Sequence, residues 1–544
     1  MGLALAMNCK SSEDEGRTLD RKSILRKIGL VVALVLGAVP VPRIHGSETP
    51  LERPNIVFII ADDLGYGDLG CYGQTRIRTP NIDRLAAEGM RFTAHYSGNN
   101  VCAPSRCVLM TGLHPGHAYI RDNRQAQGFP EGQVPVPAGY LSLPLTLKKL
   151  GYVLGGFGKW GLGPPGSSGD PLAQGFDHFF GFNCQAVAHN YYPTYLWDDH
   201  QKVTLNNRAF SAHQPLPVGV DPSDPASYKP YIGTDYAPDL IGRQALKFLR
   251  ENKDKPFFLY YPTTVPHLAL QVPDDSLAEY AGQFPEEPYT GDRDYLPQQQ
   301  PRAAYAAMIT RMDREIGRLL ALIQELNLDS RTIVVFTSDN GPLYDRAGGT
   351  DADFFNSAGG FRGRKGSFYE GGFRIPCIVR WKDQVKAGTY SDRVTGFEDW
   401  LPTLLELVNG QSQLAAKIDG VSFAPTLFGK LQKQRSFLYR ESSGYGGQQS
   451  VRVGDWKVVR RDLNSKPGTS NSHPGAIELY NLKDDPDETS DVASRHPDIV
   501  KRLSKLMKKQ HVKSELFPLH ALDGSPRTSS SKSLSPQKPL VVRS

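Results

Sequence analysis

The stretch from Cys102 to Gly112, Cys-Ala-Pro-Ser-Arg-Cys-Val-Leu-Met-Thr-Gly, constrains this chain more than any other. Pro104 sits two residues inside what reads as a helix start, where a missing N–H costs least and a fixed φ helps. That places Cys102 at or just before the helix N-terminus, whose free N–H groups and positive dipole end favour an anion. Arg106, one turn on, is expected to project toward the same end and to hydrogen-bond an oxygen on residue 102.

The rest of the chain sets the frame for that helix. At 544 residues it is too long for one core, so two domains plus tails are expected. A net charge of +6 with Lys and Arg spread along the chain argues against a nucleic-acid partner. Cys9, Cys71, Cys102, Cys107, Cys184 and Cys377 show neither metal-ligand spacing nor a dense disulfide framework, and leave room for a disulfide or two. Residues 1–52 read as a leader. Arg21, Lys22, Arg26 and Lys27 precede the apolar run Ile28–Val39, shorter than the roughly 20 residues of a membrane span. No clean Ala-x-Ala site follows, so a cleaved signal peptide and an uncleaved anchor both stay open. Either way the export machinery is an expected partner, and the body of the chain is expected to be periplasmic or secreted.

Beyond the leader, apolar strand-like runs alternate with helical patterns. Asn55–Ala61 is a β-branched run of the kind buried on both faces of a parallel sheet. Similar strands are expected at 152–158, 256–261, 332–337 and 377–381. Helices are expected at 82–88, 143–150, 237–251, 302–326 and 401–408. The fold class is therefore α/β, a doubly wound and mostly parallel sheet flanked by helices, with function at the carboxyl ends of its strands. Residues 164–230 read as a long, aromatic, loop-rich stretch, the kind that forms binding surface. Short strand-like pieces and one helix after Gly429 predict a smaller C-terminal antiparallel sheet plus helix. The expected boundaries are 53–430 for the main domain, 431–515 for the subdomain and 516–544 for a disordered Ser-, Pro- and Lys-rich tail.

Two of the strands end in acidic clusters, Asp62-Asp63 and Asp339-Asn340. If those strands are neighbours, four oxygen-bearing side chains converge on one rim, a hard donor set that selects Ca²⁺ or Mg²⁺ over Zn²⁺. Cations stand in comparable places. Lys159 and His267 follow strands, and Lys365 lies in a Gly-flanked turn.

The pattern Cys102-x-Pro104-Ser105-Arg106, four residues, Thr111-Gly112 resembles the signature of the sulfatase family, the formylglycine-dependent, arylsulfatase-like branch of the alkaline phosphatase superfamily. The resemblance runs from Asn55 to Val492. It takes in Thr79–Asp83, Arg311–Glu315, Tyr369–Gly372 and Glu478–Leu482 with Asp485-Pro486. It implies hydrolysis of sulfate monoesters, with Cys102 oxidised to formylglycine by a formylglycine-generating or sulfatase-maturing enzyme. It also implies one Ca²⁺ per chain on Asp62, Asp63, Asp339, Asn340 and residue 102. By the same analogy Lys159 and Lys365 hold the sulfate oxygens, His267 lies near the leaving oxygen, and Arg106 supports the nucleophile. The family often reads Gly-Lys-Trp-His-Leu-Gly where this chain has Gly158-Lys159-Trp160-Gly161-Leu162-Gly163. Water, His117 or His189 are the expected substitutes for that histidine, with the two histidines as candidate pocket residues. Sulfated carbohydrates are the favoured substrates. A phosphoester hydrolase on the same fold, or an impaired sulfoglycan-binding relative, are the alternatives.

Overall fold

The computed structural model describes residues 53–125, 131–344, 346–414, 417–464 and 475–524. The expected leader and the tail beyond Gly524 lie outside them. The described residues from Arg53 onward form one compact unit.

The main sheet takes its strands from β1 (Asn55–Ala61), β2 (Met90–Tyr96), β3 (Val153–Lys159), β4 (His178–Phe182), β5 (Tyr195–Asp198), β6 (Gln201–Thr204), β7 (Phe257–Pro262), β8 (Thr332–Ser338), β9 (Arg374–Arg380), β10 (Thr389–Ser391) and β11 (Thr395–Gly396). Their order is β10-β2-β9-β8-β1-β7-β3-β4-β5-β6, with β11 beside β2. The central pairings β8-β1, β1-β7, β7-β3 and β3-β4 are parallel, and antiparallel pairs appear toward both edges.

β1 shows why the sheet is doubly wound. Val57 and Ile59 belong to one core, while Ile56, Phe58 and Ile60 belong to another. A strand apolar at every position feeds a core on each face. Helices α1 (Pro80–Ala87), α4 (Ala237–Glu251) and α5 (Pro301–Glu325) cover the first face through Ile82, Ile241, Phe248, Ile309 and Ile316. The second face is covered by α2 (Cys102–Thr111), α3 (Ser142–Lys149) and α6 (Trp400–Leu407), through Val108, Leu147 and Trp400.

A second, antiparallel sheet follows: β12 (Leu438–Ser442), β13 (Gln448–Val453), β14 (Trp456–Arg460) and β15 (Ile477–Asn481). Helix α7 (Pro497–Gln510) lays Leu503 and Met507 on Tyr439, Val451, Val458 and Leu479.

Three expectations need correction. The stretch 164–230 is more than loop, because it supplies β4, β5 and β6 at one edge of the main sheet. β2 was not expected, since Arg91, Thr93 and His95 interrupt its apolar run. The expected disorder from 516 does not hold as far as Gly524: Phe517 and Leu519 are buried, and Phe517 joins the second core.

The second sheet is tied to the main one by buried charge. Arg440 on β12 donates to both carboxylate oxygens of Glu398 (3.1 and 2.9 Å), and neither side chain is exposed. Burial alone would raise the Glu398 carboxyl, but Arg440 and Arg435 hold it down to about 2. A carboxyl with a depressed folded pKa stabilises above the ordinary glutamate range and loses that contribution as pH falls toward 2. Removing one partner of such a pair leaves the other charge uncompensated, at about 3–5 kcal/mol. Glu398→Gln is therefore expected to lower the thermal midpoint at neutral pH, with the gap to the parent protein narrowing on acidification from pH 5 downward. Differential scanning calorimetry across that range checks it.

Candidate active site

Parallel pairing of β1 and β8 sets Ala61 opposite Ser338, so the next residues of each strand leave the sheet side by side. Asp62-Asp63 and Asp339-Asn340 therefore meet. The backbone N–H of Asp63 donates to Asp339 Oδ1 (3.2 Å), and Asn340 Nδ2 donates to Asp63 Oδ1 (2.7 Å). Asp63 holds a φ of +64°, a left-handed conformation that Asp tolerates better than most residues. All four side chains are buried.

The chain brings Cys102 to the same rim at the first position of α2. Its Sγ lies 3.4 Å from Asp62 Oδ1, with the ammonium groups of Lys159 and Lys365 at 3.8 and 3.7 Å. Lys159, the last residue of β3, donates to Asp62 Oδ2 (2.6 Å), and Lys365 donates to Asp63 Oδ2 (2.8 Å). The hydrogen bonds of Arg106 go to the strand ends and not to the Cys102 thiol. Its Nε and Nη2 donate to Asp339 Oδ2 (3.1 and 2.8 Å), Nη2 lies 3.4 Å from Asp62 Oδ2, and Nη1 donates to the Lys159 carbonyl. The guanidinium is a strut beneath the rim, one turn from Cys102, where it reaches both acidic strand ends.

The electrostatics follow from packing three buried carboxylates against three permanent cations. Burial opposes charge on Asp62, but Lys159, His267, Arg106 and Lys365 together hold its carboxyl far below the usual range. Burial, then the neighbouring Asp62 charge, pushes Asp339 up to about 7. Asp63 is likewise raised by burial, against the pull of Lys365. Burial and the Asp62 charge push the Cys102 thiol up to about 12, so an unmodified cysteine here is a protonated thiol and a poor nucleophile.

The carboxamide oxygen of Asn340 is buried and has no partner. Ligand atoms of Asp62, Asp63, Cys102 and His267 lie within 4.8 Å of one another. An orphaned amide oxygen beside three carboxylates is the donor set of a hard divalent cation, so the residues fit one.

His267 follows β7. Its Nδ1 donates to the Leu268 carbonyl (2.7 Å), which leaves Nε2 facing Asp63 Oδ2 at 3.4 Å. Burial, then Lys365 and Lys159, lowers the pKa of this imidazole well below the ordinary histidine range, against the pull of Asp62. His189 stacks on it, ring centroids 4.8 Å apart and 10° from parallel, so one of the two candidate pocket histidines belongs to the site. His189 Nδ1 pairs with His213 Nε2 (3.0 Å), and His213 Nδ1 with Asp294 Oδ1 (2.6 Å). His213 and Asp294 lie on the loops after β6 and before α5, and no motif marks them in the sequence.

His117 is not in the site. It pairs with Asp419 (2.9 Å) and stacks on His114 past the C-terminal end of α2. A ten-residue helix is about 15 Å long, which separates that end from Cys102. Proximity in sequence to the signature misled the reading of His117.

At Gly161 no histidine is missing from an empty space. Its φ is +86°, and a Cβ there would lie 2.0 Å from Gln185 Nε2. The Gln185 carboxamide covers the backbone where the side chain of residue 161 would project.

Comparison with known proteins agrees with this geometry. Residues 54–410 match the sulfatase family model, and residues 361–513 match the C-terminal model of N-sulphoglucosamine sulphohydrolase. The chain is 30% identical over 542 residues to an N-acetylgalactosamine-6-O-sulfatase of Bacteroides thetaiotaomicron, covering 89% of this chain and 99% of that protein. It is 32% identical to human arylsulfatase A over 486 residues, 83% of this chain and 87% of that one. Among solved structures, a protein from work on glycosaminoglycan metabolism by Bacteroides thetaiotaomicron superimposes with a TM-score of 0.66 at 26% identity, covering 84% of this chain and 99% of that one. Ps i-CgsB in complex with k-i-k-neocarrahexaose gives 0.66 at 25% identity, over 88% and 98%. The strand-end acids, the two lysines and Cys102 at its helix start form the candidate active site, and the chain is a sulfuric ester hydrolase that belongs to the sulfatase family.

Proposed function

We propose that this protein hydrolyses sulfate monoesters of saccharides, using formylglycine made from Cys102 and one Ca²⁺ held by Asp62, Asp63, Asp339, Asn340 and residue 102. The observation that carries the reading is the pair of ammonium groups, Lys159 and Lys365, on either side of residue 102 at 3.8 and 3.7 Å. Two buried cations flanking one helix-terminal side chain form a receptor for a tetrahedral anion presented to that side chain.

Formylglycine at this position supplies, once hydrated, two hydroxyls on one carbon, which neither Cys nor Ser offers. Ca²⁺ supplies charge that the crowded carboxylates accept and a Lewis acid for an oxygen at residue 102. Lys159 and Lys365 hold the non-reacting sulfate oxygens, where negative charge is concentrated through the displacement. His267 stands as the candidate acid for the departing alcohol: with Nδ1–H committed to the Leu268 carbonyl, Nε2 delivers a proton only from the imidazolium, a form that the negative charge of a bound sulfate ester favours. Arg106 positions Asp339 and the end of β3.

Saccharide substrates are supported by relatives named for sulfated sugars, an N-acetylgalactosamine-6-O-sulfatase and a neocarrahexaose complex among them. Export through the N-terminal signal and maturation by a formylglycine-generating enzyme complete the reading. The phosphoester alternative is disfavoured because Lys159 and Lys365 stand where further metal ligands would be needed. Gly161 favours a second reading, an impaired sulfoglycan-binding relative, and release of free sulfate separates the two.

Four outcomes test this. Peptide mass spectrometry of the exported protein should find an aldehyde in place of the thiol at residue 102. Cys102→Ala should abolish sulfate release, and Cys102→Ser should do so too in a host that does not oxidise Ser. Parallel assays on aryl sulfate and aryl phosphate should yield sulfate and no comparable phosphate; the reverse would overturn the assignment. Asn340→Leu removes the orphaned oxygen and should weaken Ca²⁺ binding about tenfold or more, equivalent to ~1.4 kcal/mol. Isothermal titration calorimetry on the Cys102→Ala background reads that affinity directly.

A further inference from the structure

Three buried amide side chains near the rim have no partner among the described residues for either of their side-chain polar atoms: Asn100, Asn183 and Gln185. Buried amides are costly to leave unpaired, so a cluster of them calls for an occupant. Asn183 and Gln185 lie just past the end of β4, alongside the residues that follow Lys159. Trp160 donates its backbone N–H to the Phe182 carbonyl (2.8 Å), and Gly161 donates to the Asn183 carbonyl (3.3 Å). The Gln185 carboxamide lies over Gly161 itself. Four residues further on, His189 stacks on His267. The two amides are thus bracketed by the Lys159 strand end and the His189–His267 pair. Asn100 lies two residues before Cys102, with its carbonyl accepting from the Gly366 N–H (2.9 Å) beside Lys365.

We propose that Asn183 and Gln185, together with Asn100, form a subsite that reads the hydroxyl or acetamido groups of a sugar ring next to its sulfate. A carboxamide presents donor and acceptor together, and a sugar hydroxyl or acetamide answers both. An aryl or steroid ring would bury these amides against hydrocarbon, and a second anion would meet the amide oxygens as well as the N–H groups. The absence of a Cβ at residue 161 is what admits the Gln185 carboxamide to this place. The subsite rests on the sulfatase reading above and narrows its substrate class to saccharides that carry free polar groups beside the ester.

The test compares sulfate release from 4-nitrophenyl sulfate with release from sulfated galactose, N-acetylgalactosamine and N-acetylglucosamine. It uses the mature parent protein, Asn183→Ala, Gln185→Ala and the near-isosteric Gln185→Met. The expected result is a fall of about tenfold or more in the ratio of kcat/KM for the best saccharide to that for the aryl ester, carried mainly by KM. A ratio that stays within about twofold overturns the subsite, as does a parent protein active on the aryl ester and on no saccharide. A parent protein releasing sulfate from nothing overturns the sulfatase reading instead. Should the variants fail to fold, calorimetric binding of the preferred desulfated sugar and its deoxy or de-N-acetylated analogues to Cys102→Ala decides. Weaker binding of the analogues supports the subsite, and equal binding or no binding of any sugar overturns it.

Discussion

Two adjacent parallel strands, β1 and β8, end in register and bring three buried carboxylates together. That burial is unfavourable unless cations come with it. The rest of the site can be understood as the answer. Arg106 supports the acids from below, Lys159 and Lys365 close from two sides, and Asn340 contributes an oxygen that no protein group satisfies. Each cation arrives on a different element: a helix, a strand end and a loop. The site therefore exists only when the whole α/β frame is assembled.

The same crowding accounts for the character of residue 102. Beside Asp62 and out of water, its thiol holds its proton, so the position is poor for ordinary cysteine chemistry. The two lysines beside it leave an anion-binding position facing the helix start.

Much of this was legible in the sequence where local pattern and tertiary role coincide. β1 is a nearly continuous apolar run and β8 an apolar, β-branched one, each running into Asp, and both the strands and their convergence appear as expected. Helix α4 is as expected, and α2 opens at Cys102 because Pro104 permits it. Legibility failed where a contact depends on geometry between distant segments. Arg106 is one turn from Cys102, yet its partners are strand ends far away in sequence. His117 is near the signature in sequence but is carried away by the helix between them. β2 alternates in burial only because β9 and β10 flank it, and its polar residues hid it. Gln185 could not be matched to Gly161 from sequence, since only the pairing of β3 with β4 brings their following residues together.

The central claim is that this rim holds a single hard cation together with an oxidised residue 102. Anomalous diffraction from crystals of the mature protein grown with Ca²⁺ tests it most directly. The account predicts one anomalous peak per chain, within coordination distance of Asp62, Asp63, Asp339 and Asn340, beside an oxygen-bearing side chain at 102. Two metal peaks, or an ion bound elsewhere with a thiol retained at 102, would contradict it.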